Sequence, residues 1–204
     1  MQILLYVFLF LVVIALIFFT VKLLNVFEKK NTKFDFFIKN IEIYMKRVHP
    51  NIGINYSIVE LVKNEKNEKN EKIKETLVIQ DIVSQFYNFN FTKKTQKIIP
   101  KEKLWATYID NPLSSSYPND WLQRKEFAYV RDNKSCKRCG QNLESLNEVY
   151  TSFVRPVKEG GGYNFENILT LCADCSKIMD SNLEKSSIIS SLKLYDNLLK
   201  FIED

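Results

Sequence analysis

Two pairs of cysteines, Cys136-Lys137-Arg138-Cys139 and Cys172-Ala173-Asp174-Cys175, constrain this chain more than any other feature, because they require two distant tight turns to meet. A CxxC turn brings two sulfurs onto one cation, and a second turn completes a tetrahedral four-sulfur site of the kind that favours zinc. Gly140, directly after the first pair, lets the backbone of that knuckle turn tightly. The rival reading is a redox dithiol, which needs only one CxxC and usually a βαβ setting. A closed four-sulfur site keeps no open coordination position, so by itself it holds a fold and catalyses nothing. About 32 residues separate the pairs, more than a plain zinc ribbon has and enough for a two-stranded hairpin before the second knuckle.

Composition narrows the class. The chain has 204 residues, 46% hydrophobic and 26% charged, which is neither a disordered nor a fibrous profile. A net charge of +5 excludes a histone-like protein but leaves room for a local basic patch. The apolar residues are concentrated at the start. From Ile3 to Val21 no residue is charged, and as a helix this run reaches roughly 28 Å, close to the ~30 Å hydrocarbon core of a bilayer. A signal peptide would want a basic flank before the run and a small-x-small site after it, and neither is present. A buried core helix is seldom apolar on every face for five turns. The expectation is therefore a single transmembrane anchor over residues 1–25, embedded through residues 3–21. Lys22, Lys29, Lys30 and Lys33 follow the run, so the positive-inside tendency puts the remainder in the cytoplasm, where a reducing environment also keeps thiolates available for metal.

Residues 26–100 read as a juxtamembrane α+β region. A short helix is expected within 26–48. Strands are expected where Ile52, Ile54, Tyr56 and Ile58 alternate, at Thr76–Val83, and where Tyr87, Phe89 and Phe91 alternate. Between the first two lies a threefold Asn-Glu-Lys repeat, Asn64–Lys72, of the kind that forms solvated loops. Leu104-Trp105 and Tyr108 suggest a short helix, and Asn111 to Ser116 a loop. Trp121–Arg131 reads as a helix with Asn119 or Asp120 as N-cap and with Trp121, Phe127 and Val130 packing. The lone histidine, His49, precedes Pro50 and reads as a surface or turn residue. After residue 182 a single amphipathic helix is expected over 183–204, since Ile188, Leu192, Tyr195, Leu199 and Ile202 draw one apolar stripe. That stripe would pack back on the domain or serve a protein partner or self-association.

Around the cysteines the residues resemble a known family. Arg124-Lys125-Glu126-Phe127-Ala128-Tyr129-Val130-Arg131-Asp132 precedes the first CxxC pair and Gly140. Arg155-Pro156, Gly160-Gly161-Gly162 and Asn164-Phe165-Glu166-Asn167-Ile168-Leu169-Thr170-Leu171 then lead into Cys172 and Cys175. In this order and spacing, over residues 104–180, the chain resembles the zinc-stabilised HNH endonucleases. The resemblance implies a ββα-metal finger within residues 101–182, with a hairpin over 147–170 and a helix starting near the second knuckle. It also implies a structural Zn2+ on the four cysteines. In active members an acidic residue or histidine binds a divalent metal, the histidine after it is the general base, and a further histidine follows the last cysteine. Here those positions hold Ser152, Phe153 and Ser176, and only the loop-positioning asparagine, Asn167, is retained.

Phenylalanine neither accepts a proton nor binds a metal, and a serine hydroxyl is a poor replacement for a carboxylate or imidazole. General-base catalysis contributes about 10²–10⁴-fold and metal clamping several kcal/mol more, so a chain lacking both should show no activity above background. Glu159 and Asp174 are the surrogate metal ligands to consider; Glu166 already belongs to the family's loop. DNA binding does not need the lost groups, and Arg124, Lys125, Arg131, Lys134, Lys137, Arg138, Arg155 and Lys158 are candidate phosphate contacts. Arg131-Asp132 also reads as a plain structural ion pair. The expectation is an α+β chain with an N-terminal anchor, a small α/β region, an HNH-like zinc domain and a C-terminal helix. Its role would be that of a catalytically degenerate module binding nucleic acid or protein. The alternative is an active nuclease that uses Mg2+ or a similar ion through non-standard ligands. A third reading is a structural zinc protein without affinity for DNA.

Overall fold

The computed structural model describes residues 12–20, 33–65, 70–94, 117–180 and 182–203. The chain divides into two units, Met1–Phe37 and Ile38–Asp204. In the first unit, residues 12–20 form helix α1, exposed along its whole length, and Phe34 stacks on Phe37 with ring centroids 6.0 Å apart. Among the described residues no helix is long and apolar enough to cross a membrane. This overturns the expected transmembrane anchor, and with it the single-pass localisation and the cytoplasmic side inferred from it. At 1.5 Å per residue the nine described residues of α1 span about 13 Å, under half of a ~30 Å hydrocarbon core. Residues 1–11 and 21–25 of the expected anchor lie outside the described residues.

Among the described residues the fold is mostly helical with one two-stranded sheet, which corrects the expected α+β fold and its small α/β region. The remaining elements are α2 (Lys33–Val48), α3 (Ser57–Asn64), α4 (Glu71–Asn88), α5 (Trp121–Arg131), β1 (Tyr150–Phe153), β2 (Ile168–Leu171), α6 (Ala173–Asp180), α7 (Lys185–Ser190) and α8 (Lys193–Glu203). None of the three strands expected before residue 92 forms.

Each failure has a local cause. Residues 52–56 have no strand beside them. The Gln85 side chain takes that place, accepting from the Asn55 backbone N–H and donating to its carbonyl, both at 2.8 Å. Thr76–Val83 looked strand-like only in a short window. Across Glu71–Asn88 the buried positions 75, 78, 79, 82, 83 and 86 follow helical spacing, and the Asn70 side chain caps the helix by accepting from the Lys72 N–H. The Asn-Glu-Lys repeat thus supplies the end of α3, the cap and the first turn of α4; residues 66–69 lie outside the described residues. Tyr87 belongs to the last turn of α4, and residues 89–94 are extended without ladder partners.

Helix α4 packs on α3, α7 and α8, and Val78, Ile79, Ile82 and Phe86 are buried, as are Ile188, Leu192 and Leu198 of the C-terminal segment. Each such side chain contributes about 1.5–3 kcal/mol by leaving water. The C-terminal segment is two helices rather than one. The break falls at Ser191-Leu192, and the buried carboxylate of Asp174 captures the new start by accepting from the N–H groups of Lys193 and Leu194 at 2.9 and 2.8 Å. Tyr195, Leu199 and Ile202 of the expected stripe are half-buried, while Leu194 and Leu198 take the interior positions.

Strands β1 and β2 pair antiparallel, Tyr150 opposite Leu171 and Phe153 opposite Ile168, and β2 is buried at every position. Helix α5 lies against β2. It turns Ala128 and Tyr129 inward and leaves Phe127 and Val130 at 64% and 56% exposure, so those two are not the packing residues expected. Asp120 precedes α5 but spends its carboxylate on Arg124 Nε at 2.8 Å rather than on a backbone cap. The helix expected at Leu104–Tyr108 and the loop from Asn111 to Ser116 lie outside the described residues.

Candidate metal centre

The first knuckle is built on the end of α5. Arg131 runs back over the hairpin, donating to the Phe165 and Ile168 carbonyls, the latter at 2.7 Å. Its Nε and Nη2 also pair with the buried Asp132 carboxylate, which accepts from the Thr170 N–H as well. The chain then reverses through Asn133 and Lys134, both in the left-handed region at φ 54° and 55°. An isolated bridge, Ser135 to Asn142, closes the knuckle, with Cys136 N–H donating to Gln141 O and Gly140 N–H to Cys136 O, both at 2.8 Å. Gly140 has φ 82°, and a Cβ there would come within 2.8 Å of Pro50 and 2.9 Å of Asn51. Only glycine fits where the His49–Asn51 corner leans on the turn.

The second knuckle begins where β2 ends. Cys172 follows Leu171, and Cys175 lies in the first turn of α6, its N–H donating to Cys172 Sγ at 3.5 Å. Lys137 N–H donates to the Thr170 carbonyl at 2.9 Å, which ties the two knuckles together. All four sulfurs lie within 4.8 Å of one another, those of Cys139 and Cys172 at 3.7 Å, and all four cysteines are buried and free of disulfides. Hydrogen bonds from Cys139, Cys172 and Cys175 hold the Cys136 thiol well below its ordinary range. The same bonds to Cys136 push Cys139 and Cys172 up, and burial adds to both. Four such thiols could hold a metal ion.

Two further residues enclose the cluster. Arg138, 2% exposed, stands inside the first pair. Its Nη1 donates to Cys175 Sγ at 3.5 Å, and Nη2 lies 2.6, 3.1 and 3.2 Å from the carbonyl oxygens of Phe86, Tyr87 and Phe89. His49 is also 2% exposed rather than at the surface. Its ring meets Phe86 and Tyr44 edge-on, and burial pushes its pKa down to about 4. Spacing carried a signal for it, because His49 follows Ile41 and Met45 on the apolar face of α2.

The family-implied positions are placed as follows. Ser152 is buried on β1; its hydroxyl donates to Asp180 Oδ1 at 2.8 Å and accepts from Lys93 Nζ at 3.2 Å. Lys93 Nζ is also 3.8 Å from Asp180 Oδ1. Phe153 joins an aromatic cluster with Trp121 and Tyr163, at centroid distances of 6.0 and 5.8 Å. Asn167, fully buried, accepts from Arg155 N–H at 2.9 Å and donates to the carbonyls of Arg155 and Gly162 at 3.0 and 2.8 Å, closing the loop between the strands. Ser176 is half-buried on α6. Asp174 is occupied by the start of α8, and Glu159 is exposed. Asp180, which the sequence reading did not weigh, is the carboxylate that reaches Ser152.

Several of the candidate phosphate contacts are engaged within the chain. Arg138 is interior, and Arg131 is held by Asp132 and two carbonyls. Arg124 reaches Asp120 and the Tyr163 carbonyl. Lys137 is 4.0 Å from Asp132, and burial lowers the pKa of Lys125. Arg155 is half-buried, whereas Lys134 and Lys158 are exposed. No family model, no curated protein and no solved structure matches the chain. The likeness to HNH endonucleases therefore rests on the residues quoted above.

Proposed function

We propose that the four cysteines hold one structural zinc ion, and that the finger around it is an HNH-type nuclease scaffold that has lost its chemistry. It now serves as a binding module for nucleic acid or protein. Tetrahedral zinc with metal–sulfur bonds of about 2.3 Å has sulfur–sulfur edges of about 3.8 Å. The 3.7 Å between Cys139 and Cys172 fits that edge. Soft thiolates also select zinc over magnesium or calcium. One observation carries the non-catalytic half of the reading: Lys93 sets its ammonium 3.2 Å from Ser152 and 3.8 Å from Asp180, where a nuclease of this family would hold its divalent cation. A tethered positive charge repels a second cation there, and Phe153 beside it offers no base.

The test uses the full chain loaded with zinc and supercoiled plasmid in Mg2+, Mn2+ or Ni2+. The natural chain should leave the plasmid intact. Metal-dependent nicking that EDTA abolishes would overturn the reading in favour of non-standard ligands, with Asp180 the first to replace. Retention on DNA-cellulose that falls steeply with salt identifies nucleic acid as the partner, and retention absent at low salt identifies protein.

A further inference from the structure

Arg138 carries a full positive charge into the interior, and among the described residues no carboxylate pairs with it. A buried, uncompensated guanidinium is strongly unfavourable, so something must balance it. The partners are unequal to that task. The carbonyls of Phe86, Tyr87 and Phe89 are neutral dipoles at the C-terminal end of α4, and the rings of Phe86 and Phe89, at 5.2 and 5.5 Å, supply only a weak cation–π field. The remaining partner is Cys175 Sγ at 3.5 Å. Four thiolates on one divalent ion carry a net charge of about −2, which balances the guanidinium.

We infer that Arg138 is the internal counter-charge of the metal–thiolate centre, and that through it metal loading controls whether the C-terminal end of α4 is docked on the finger. The inference rests on the metal-centre reading above. With metal bound, the guanidinium is held between the thiolates and the last carbonyls of α4, satisfying acceptors that have no partner within the helix. With metal removed, no ion holds the four sulfurs together, and the guanidinium loses the fixed anchor at Cys175 that keeps it inside. Its departure uncaps α4 beside Phe86, the residue on which His49 also packs. Arg138 is thus a positioning residue that couples the helical layer to the finger, and it is not available as a phosphate contact.

Hydrogen exchange on the full chain tests this, with metal content measured first. Wild type should take up one zinc or cobalt ion per chain, and stripping it with a mercurial should raise exchange at amides 83–88 at least tenfold. Arg138→Met should bind cobalt at least tenfold more weakly and exchange rapidly in α4 even when loaded. Arg138→Lys keeps the charge but loses the fork, so its cobalt affinity should stay within about threefold of wild type while its α4 amides exchange faster. If the Met variant fails to fold, the wild-type stripping experiment and the Lys variant decide. A chain that takes up no metal defeats the metal-centre reading and this inference together. Metal uptake with α4 exchange unchanged on stripping, or with wild-type affinity in Arg138→Met, overturns the coupling alone.

Discussion

Single side chains do most of the positioning around the two knuckles. Asn167 makes three hydrogen bonds from a fully buried amide, to both backbone groups of Arg155 and to Gly162. Asn167→Ala leaves those groups unpaired in the interior, and at about 1–3 kcal/mol for an orphaned buried group the expected loss is about 2–4 kcal/mol in urea unfolding with zinc saturating. A loss below about 1 kcal/mol would show that water replaces the amide. His49 makes a prediction about acid. Its folded pKa of about 4 lies below the ordinary 6.5, so the unfolded chain gains a proton first as pH falls. Its contribution is therefore unchanged above pH 6.5, and stability declines between 6.5 and 4 by up to roughly 3 kcal/mol. His49→Phe should flatten that part of the urea-midpoint profile between pH 7 and 5, and an unaltered slope would mean that another group titrates. The asparagine was legible in the sequence because its position in the motif implies its task. The histidine was misread because a residue before Pro50 looks like a turn, and nothing in a linear chain announces that Phe86 comes to lie against it.

Among elements, the decisive contrast is between α4 and the hairpin. The cysteine spacing left room for the hairpin, while the hairpin's place and the helix after it were what the family resemblance implied. Helix α4 was mistaken for a strand because Thr76–Val83 is too short a window to separate the two periods, and the cap that starts the helix sits inside a repeat that reads as loop. The C-terminal pair of helices was half legible. The apolar stripe was visible, but its interruption depends on Asp174, a residue in a different helix that accepts from two N–H groups at the start of α8. Asp174→Ala should cost about 1–2 kcal/mol, as the loss of a charged cap does, and should speed hydrogen exchange first at Lys193 and Leu194. Uniformly faster exchange along β2 instead would mean that the carboxylate serves the metal centre rather than the helix.

The whole second unit hangs on the metal reading. Structural zinc in small fingers binds with about 10–16 kcal/mol, as much as or more than the ~5–15 kcal/mol that holds a typical domain folded. Removal of the ion should therefore unfold the hairpin and both knuckles, and Cys139→Ser should do the same at ordinary zinc concentrations. Circular dichroism melting before and after chelation checks this, and an unchanged melting temperature would refute it. The long apolar run at the start was the strongest signal in the sequence after the cysteines, and its described residues, 12–20, are helical without forming a helix long enough to cross a membrane. A different property follows from the Gln85 amide that pairs with the Asn55 backbone. Unpaired extended segments invite the backbone of another molecule to add a strand, and here one side chain occupies that vacancy within the chain. Solubility at high concentration thus depends on one neutral amide, which also donates to the Asp81 carboxylate at 2.6 Å. Gln85→Leu should reveal itself as concentration-dependent self-association, visible in light scattering before any helix is lost.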